Sequence, residues 1–388
     1  SYQGKAITER FFNLKMTSKA LVVGAGAIGL RTALELLRRN VRVVLRSPEH
    51  PLHHSTCSMG AGGLWMPFHC DDPRVDSWAA STLDELLLEA KSTDDSAVEI
   101  VPTILLKRYH NGPIIENYVV AKGSEGVENS SSKVSPLPSW TSDPRLDFQH
   151  LSVEMLSWQN NVHQLRIPSQ DDLVNAGYRF CWMFKPPIVD APKKLQSMLN
   201  EVGQHPMTED VNVKTGKYYA TVREMINEAI NLGCDTVVNC TGLGSRDLCS
   251  DPTVVGARGV LLHFDRTCER MEKFASMAND AAILTEEPSW ASETDNCYLI
   301  PRGDVIVVGG TYLEGDNEQS IRPEEKERII KNAQLLGVDT DKSPSIGEWT
   351  GFRPYRPTTR LELEDRADVP NGFKVVHNYG HGGSGWTV

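Results

Sequence analysis

Three stretches of the chain carry apolar residues at helical spacing, and shorter continuous or alternating apolar runs lie between them. Leu30, Ala33, Leu34 and Leu37 share one face with Arg31, Glu35, Arg38 and Arg39 opposite, which predicts a helix closed by Asn40. Trp78, Leu83, Leu86 and Leu87 predict a second helix over residues 76–91, opened by Pro73. Val222, Met225, Ile226, Ala229 and Ile230 predict a third over 221–232, stopped by Gly233. Strands are predicted at 41–45, 98–106, 114–121, 235–242, 360–364 and 374–379, and as a pair around Arg302-Gly303-Asp304 within 298–310. Tyr178, Phe180, Trp182 and Phe184 alternate as one buried sheet face, whereas 122–144, rich in Gly, Ser, Asn and Pro, reads as an exposed insertion.

The junction at 21–30, LVVGAGAIGL, is where a strand hands over to the first helix, and it spells G-x-G-x-x-G. Gly24 allows the tight turn, Gly26 lets a pyrophosphate approach the backbone, and Gly29 lets helix and strand pack closely; free amides and the helix dipole favour the anion. The pattern predicts a dinucleotide site, with an unrelated glycine-rich turn as the alternative. A NAD site wants an acid about twenty residues past the glycines. Here the second strand ends on Leu45, Arg46 and Ser47, with Glu49 slightly late, so Arg46 leaves NADP open on these residues alone. Further along, STCSMGAGGLWMP (55–67) offers hydroxyls and flat glycine backbone, and VVNCTG (237–242) ends a buried strand toward the same crevice. GFRPYRP (351–357) holds two arginines between prolines, and GHGGSGW (380–386) forms a backbone nest after a strand.

At 388 residues two domains are expected. A net charge of −11 argues against nucleic acid or an anionic membrane as partner and points to a small-molecule substrate. No apolar run approaches the roughly eighteen residues of a membrane helix, and the N-terminus lacks the apolar core of a secretory signal. Eight cysteines without a C-x-x-C pair read as reduced thiols of an intracellular protein, and no metal site is predicted. The Arg-Gly-Asp and Asn129-Ser130-Ser131 tripeptides are set aside, because nothing else points to an extracellular protein.

Taken in order, LVVGAGAIGL, GAGGLWMP, VVNCTG, YLIP with VVGG, GFRPYRP and HNYGHGGSGW resemble the D-amino-acid oxidase family of FAD enzymes, which includes D-aspartate oxidases; the likeness runs from residue 20 to the last. It implies an α/β fold: a Rossmann-like FAD-binding domain (19–75, 186–250 and 349–388), a mainly antiparallel-sheet α+β substrate domain (76–185 and 251–348) and an N-terminal extension (1–18). Gly24, Ala25, Gly26, Ala27 and Ile28 would then hold the pyrophosphate, and Arg46 with Ser47 the adenosine, which removes the NADP alternative. Thr56, Cys57 and Ser58 would line phosphates and ribose. Gly62, Gly63 and Leu64 would lie along the isoalloxazine, with Val222, Thr241 and Gly242 along the adenine half. Gly382, Gly383, Ser384, Gly385, Trp386 and Thr387 would face the pyrimidine edge.

For the substrate, the resemblance implies Arg353 on the α-carboxylate, Tyr298 adding a phenol hydrogen bond, and the Gly383 carbonyl accepting from the amine. Hydride would pass from Cα to flavin N5, the imine would hydrolyse to a 2-oxo acid and ammonia, and dioxygen would yield hydrogen peroxide, with no general base required. His381 reads as a loop-shaping residue, and a Ser384–His381 hydrolase is disfavoured because the chain has no G-x-S-x-G elbow. Met66, Phe68 and Tyr312 stand where polar or cationic groups occur in relatives, which favours neutral D-amino acids. The loop at 286–297 lacks a second tyrosine, with Thr294 near its place. Alternatives are a D-aspartate-type or imino-acid oxidase, or a flavin-binding relative without catalysis. Peroxisomal or cytoplasmic location and a homodimer complete what the resemblance allows.

Overall fold

The computed structural model describes residues 18–67, 72–92, 96–108, 137–157, 167–266, 281–285, 297–338, 340–341 and 344–387. Its strands are β1 (Lys19–Val23), β2 (Arg42–Arg46), β3 (Val98–Ile100), β4 (Thr103–Lys107), β5 (Gln149–Ser152), β6 (Phe180–Phe184), β7 (Pro187–Val189) and β8 (Thr208–Asn212). They continue as β9 (Thr236–Asn239), β10 (Val255–Asp265), β11 (Ala282–Thr285), β12 (Cys297–Arg302), β13 (Val305–Gly309), β14 (Leu313–Glu314), β15 (Gly347–Glu364) and β16 (Lys374–His381). Fourteen of them form one sheet in the order β5-β6-β4-β11-β12-β13-β10-β15-β16-β9-β1-β2-β8, with β14 on β10; β3 and β7 pair separately.

One end of this sheet is parallel. β16, β9, β1, β2 and β8 run side by side in the same direction. The middles of β1, β2 and β9 are near-continuously apolar because both faces are covered, whereas the edge strand β8 is mostly polar. The helix α1 (Ala27–Arg38) and the helix Ala191–Gln204 cover one face, burying Leu30, Leu34, Leu195 and Val202 with Val22 and Val43. The helix Val222–Asn231 covers the other with Met225 and Ile226. The rest of the sheet is antiparallel apart from the β4–β11 pair. Its residues alternate: Val260, Leu262, Phe264, Leu299 and Val308 turn to a core closed by the helix Pro323–Leu335, and Leu261, Leu284 and Tyr298 turn to the opposite face. The 18-residue β15 joins the halves, pairing with β10 through 347–355 and with β16 through 355–364.

Beneath the antiparallel part lies a charged core. Arg258 on β10 is fully buried and gives its guanidinium to both oxygens of Glu325, at 2.6 and 2.9 Å, and to the carbonyls of Glu318 and Ser320. Glu325 sits in the first turn of the helix Pro323–Leu335, so it also answers that helix's positive end.

Several expectations are revised. The run at 98–106 is two strands, because Pro102 has no amide for the ladder and Val101 turns to the Pro186 carbonyl. The aromatic alternation at 180–184 has both faces covered: Trp182 and Phe184 meet Trp140, while Cys181 and Met183 enter the main core. Trp78 lies under the Arg74 guanidinium, 4.5 Å from its ring centre, instead of in the buried stripe of its helix, Val75–Glu89. Ile230 is 39% exposed. An edge strand not among those predicted, β8, closes the parallel end beside β2. The predicted strand at 114–121, Phe68 and the loop at 286–296 lie outside the described residues.

Candidate functional site

The turn after β1 closes so tightly that only glycine fits. Gly24 has φ of +106°, and a Cβ there would stand 2.3 Å from the Cys240 carbonyl oxygen. A Cβ on Gly29 would stand 1.9 Å from the Gly24 oxygen, so α1 rests directly on the strand end. The first amides of a helix have no partner within it. That of Ala27 donates to Ser58 Oγ at 3.0 Å, which brings the loop after β2 against the positive end of α1.

This loop carries the reduced, glycine-rich text of 54–66, yet its backbone is pinned from four directions. Trp349 Nε1 donates to the His54 carbonyl at 3.1 Å, Trp386 Nε1 to Ser58 at 3.1 Å, and Thr387 Oγ1 to Met66 at 3.4 Å, while the buried Arg302 donates to Ala61. Each bond satisfies a carbonyl that no ladder reaches. At the end of β9, the fully buried Asn239 accepts from the Thr241 amide at 3.1 Å and the Thr241 hydroxyl at 2.8 Å, an Asx turn that presents Thr241 and Gly242 beside the glycine turn.

The floor of the site on the antiparallel side is one row across the sheet. Leu105 faces Leu284, Leu284 faces Tyr298, Tyr298 faces Gly309, Gly309 faces Leu261, and Leu261 faces Trp349. Gly309 leaves room for the Tyr298 ring, since a Cβ there would be 2.4 Å from Cζ. One row along, Gly259 faces Gly351: the Arg353 guanidinium lies over Gly259, where a Cβ would meet Nη1 at 2.3 Å, and the Trp349 indole lies over Gly351. Arg353 Nη1 donates to the Thr311 carbonyl at 3.0 Å, and its positive charge lies close enough to act on the Tyr298 phenol. The second arginine of GFRPYRP, Arg356, is committed elsewhere, donating to Asp251 at 3.0 Å.

A cavity of about 640 Å³ joins these parts, within the range of about 300–1,000 Å³ usual for ligand sites. It is lined by Gly24, Ala25, Gly26, Ala27 and Ile28; by Ser47, Thr56, Cys57 and Ser58; by Gly62, Gly63, Leu64 and Met66; and by Thr241 and Gly242. Tyr298, Tyr312, Arg353, Gly382, Gly383, Gly385, Trp386 and Thr387 complete the predicted residues that the structure brings together. Among described residues it lines from the antiparallel strands, Arg353 is the charged one, the rest being apolar or neutral.

Three predicted residues do not reach the cavity. Arg46 pairs with Asp210 at 2.6 Å and lies 3.6 Å from Glu228, because β8 brings acids alongside β2. Val222 is buried with Leu21 and Val23 on the far face of the parallel strands. Ser384 is buried within the closing turn, where its carbonyl accepts from the Thr387 amide at 2.8 Å. Glu49, Leu105, Tyr218, Leu284 and Trp349 line the cavity without having been singled out. Only Glu49 left a trace in sequence, as an acid three residues past the strand end.

Burial sets the protonation of the lining. It raises the Tyr298 phenol above its ordinary 10, the nearby Arg353 opposing, so the hydroxyl stays a donor. It raises the Cys57 thiol to about 11, again against Arg353, which keeps that position neutral. His381 is lowered to about 4 by burial; its Nε2 meets Asn378 Oδ1 at 2.9 Å, and its buried Nδ1 has no hydrogen-bond partner among the described residues. No helix among the described residues is long and apolar enough to cross a membrane, and no group of three His, Cys, Asp or Glu side chains among them could hold a metal.

A family model described as "FAD dependent oxidoreductase" matches residues 19–113 and 208–388. The chain is 28% identical over 381 residues to a D-amino-acid oxidase of Rubrobacter xylanophilus, covering 96% of this chain and 93% of that one. It is 26% identical over 377 residues to human D-aspartate oxidase, covering 96% and 91%. Among solved structures, glycine oxidase from Bacillus cereus superposes with a TM-score of 0.64 at 15% identity, over 96% of this chain and 91% of that chain. At that identity the likeness is one of fold.

Proposed function

Because the chain belongs to the FAD dependent oxidoreductase family, we propose that it deaminates neutral D-amino acids to 2-oxo acids and ammonia, with dioxygen as electron acceptor and hydrogen peroxide as product. FAD is the cofactor, and when bound it supplies the hydride acceptor. The cavity fits it: the amides at the start of α1 offer an anion seat, glycine backbone lines both long sides, and the His381 Nδ1 acceptor awaits a donor. On this reading 19–75, 186–250 and 349–388 bind the cofactor, and 76–185 with 251–348 cover the substrate.

The observation that carries the substrate reading is the Arg353 guanidinium lying over Gly259, near enough to Tyr298 to act on its phenol, with Leu105 and Leu284 continuing the same floor. A planar guanidinium receives a carboxylate in two parallel hydrogen bonds, and the phenol adds a third; both come from strands, so their aim is fixed before binding. Gly383 lines the cavity beside the Arg353 side chain, and on this reading its carbonyl accepts from the amine. Tyr312, Met66 and the two leucines offer the side chain an apolar wall, with no second cation beside Arg353 among the described residues of that wall. Oxygen uptake across a panel of D- and L-amino acids tests this: turnover is expected with D-amino acids bearing apolar side chains, and activity confined to D-aspartate and D-glutamate overturns it.

The lining also dictates a pH profile. His381 is neutral above about pH 4 and Tyr298 stays protonated past its ordinary range, so neither changes charge between pH 5 and 9. The rise of kcat/KM with pH is therefore expected to track the substrate's own amine. His381→Asn should leave that inflection in place, and a displacement by a unit or more would show that the imidazole titrates in turnover.

A further inference from the structure

Cations at the glycine-turn end of the cavity are already neutralised. Arg46 is held by Asp210 and Glu228, and Lys217 pairs with Glu228 while lying 4.6 Å from the Tyr219 ring. Glu49 is arranged differently. It lines the cavity three residues beyond β2, and no lysine or arginine among the described residues lies within ion-pair distance of its carboxylate. Its neighbours are the Tyr218 hydroxyl, which donates to Oε1 at 3.4 Å, and a ring nitrogen of His53, 4.0 Å from Oε2. Tyr218 also lines the cavity and is 71% exposed.

An ionised carboxylate only accepts hydrogen bonds, and one tyrosine leaves most of its capacity unused. The matching group is a pair of hydroxyls. We propose that Glu49 grips the 2′,3′-diol of the adenosine ribose of FAD, with Tyr218 as the positioning residue that holds the carboxylate over the cavity. The acid normally placed at the end of the second strand is thus supplied from three residues later, where the Ser47-Pro48 backbone, also lining the cavity, carries the chain past the glycine turn. The same carboxylate repels a 2′-phosphate, so it replaces the preference that Arg46 implies with the opposite one. This rests on FAD as the cofactor and not on the identity of the substrate.

The test uses the full chain freed of flavin and titrated with FAD, with FMN and with FAD lacking the adenosine 2′-hydroxyl, binding being read from flavin fluorescence. Glu49→Gln is expected to raise the Kd for FAD about tenfold or more and to leave FMN unchanged; Tyr218→Phe should raise the FAD value about threefold. The 2′-deoxy cofactor should bind wild type more weakly than FAD but lose nothing further in Glu49→Gln. FAD binding within twofold of wild type in Glu49→Gln, equal weakening of FMN, or an undiminished 2′-deoxy penalty in that variant would each overturn the assignment. Failure here is read from flavin affinity and failure of the substrate reading from oxygen uptake across the amino-acid panel, so the two are told apart by different measurements.

Discussion

Arg353→Ala is expected to lower kcat/KM for the amino acid by about 10²–10⁴-fold, or roughly 3–5 kcal/mol, while FAD stays bound. The size follows from where the guanidinium lies. It is pre-aimed over Gly259, tied to the Thr311 carbonyl, and close to a phenol whose own charge is suppressed by burial. Removing it leaves an incoming carboxylate facing leucines and a lone hydroxyl. Lysine should not restore activity, because an ammonium cannot offer two parallel donors and would leave most of the space over Gly259 empty. Stopped-flow reduction at varied substrate concentration separates the effects. The loss is expected mainly in binding, with a smaller fall in the limiting rate as the Cα–H direction loosens. Arg353→Ala with unchanged kinetics, or with flavin lost from the purified protein, would remove the residue from the substrate site.

Glu325→Ala is expected to cost about 3–5 kcal/mol of folding stability, read as a lowered urea midpoint. Arg258 would keep its full charge in a place where it is 0% exposed, with two backbone carbonyls and the Asp316 carboxylate, 3.6 Å away and already bonded to Arg322, in place of the paired Glu325. The paired change Arg258→Met with Glu325→Leu should recover most of that loss, since two apolar side chains ask for no compensation. Acid gives an independent reading. Burial pushes the Glu325 carboxyl up, but Arg258 and the Arg322 amide outweigh it and leave the group below its ordinary 4.5. A carboxyl lowered on folding contributes stability that is complete above the ordinary value and vanishes as pH falls through the folded one. Wild type should therefore lose stability on acidification below about pH 4.5 more steeply than Glu325→Gln. Equal slopes would mean that the pair is energetically silent.

What could be read from the letters alone was whatever depends on neighbours in sequence. The turn at Gly24, the helix after Thr221 and the hairpin around Gly303 each owe their shape to residues a few positions away, and the structure has them. Register is another matter. That Leu105, Leu284, Tyr298, Leu261 and Trp349 form one floor depends on pairings between strands up to about one hundred and eighty residues apart, and no local pattern encodes them. Trp349 was hidden for this reason, as an aromatic in an ordinary alternating strand. Arg46 failed in the opposite way. Its position at the end of β2 suits a ligand, but β8 packs alongside with Asp210, and an ion pair at 2.6 Å takes the side chain out of play. Val222 is the first residue of a helix whose apolar stripe is needed by the core, and a single valine cannot serve two faces.

β15 has a bearing on how substrate gets in. A ligand-enclosing enzyme with two lobes on a linker can gape like a jaw, but here the lobes share an 18-residue strand whose ladders continue into both, and Arg353 sits on the shared part. Swinging one half away would shear main-chain bonds at the very position that orients the acid group. Passage to the pocket therefore calls for local rearrangement of side chains or a surface segment, and the traffic it limits should be insensitive to solvent viscosity beyond what small-scale motion explains.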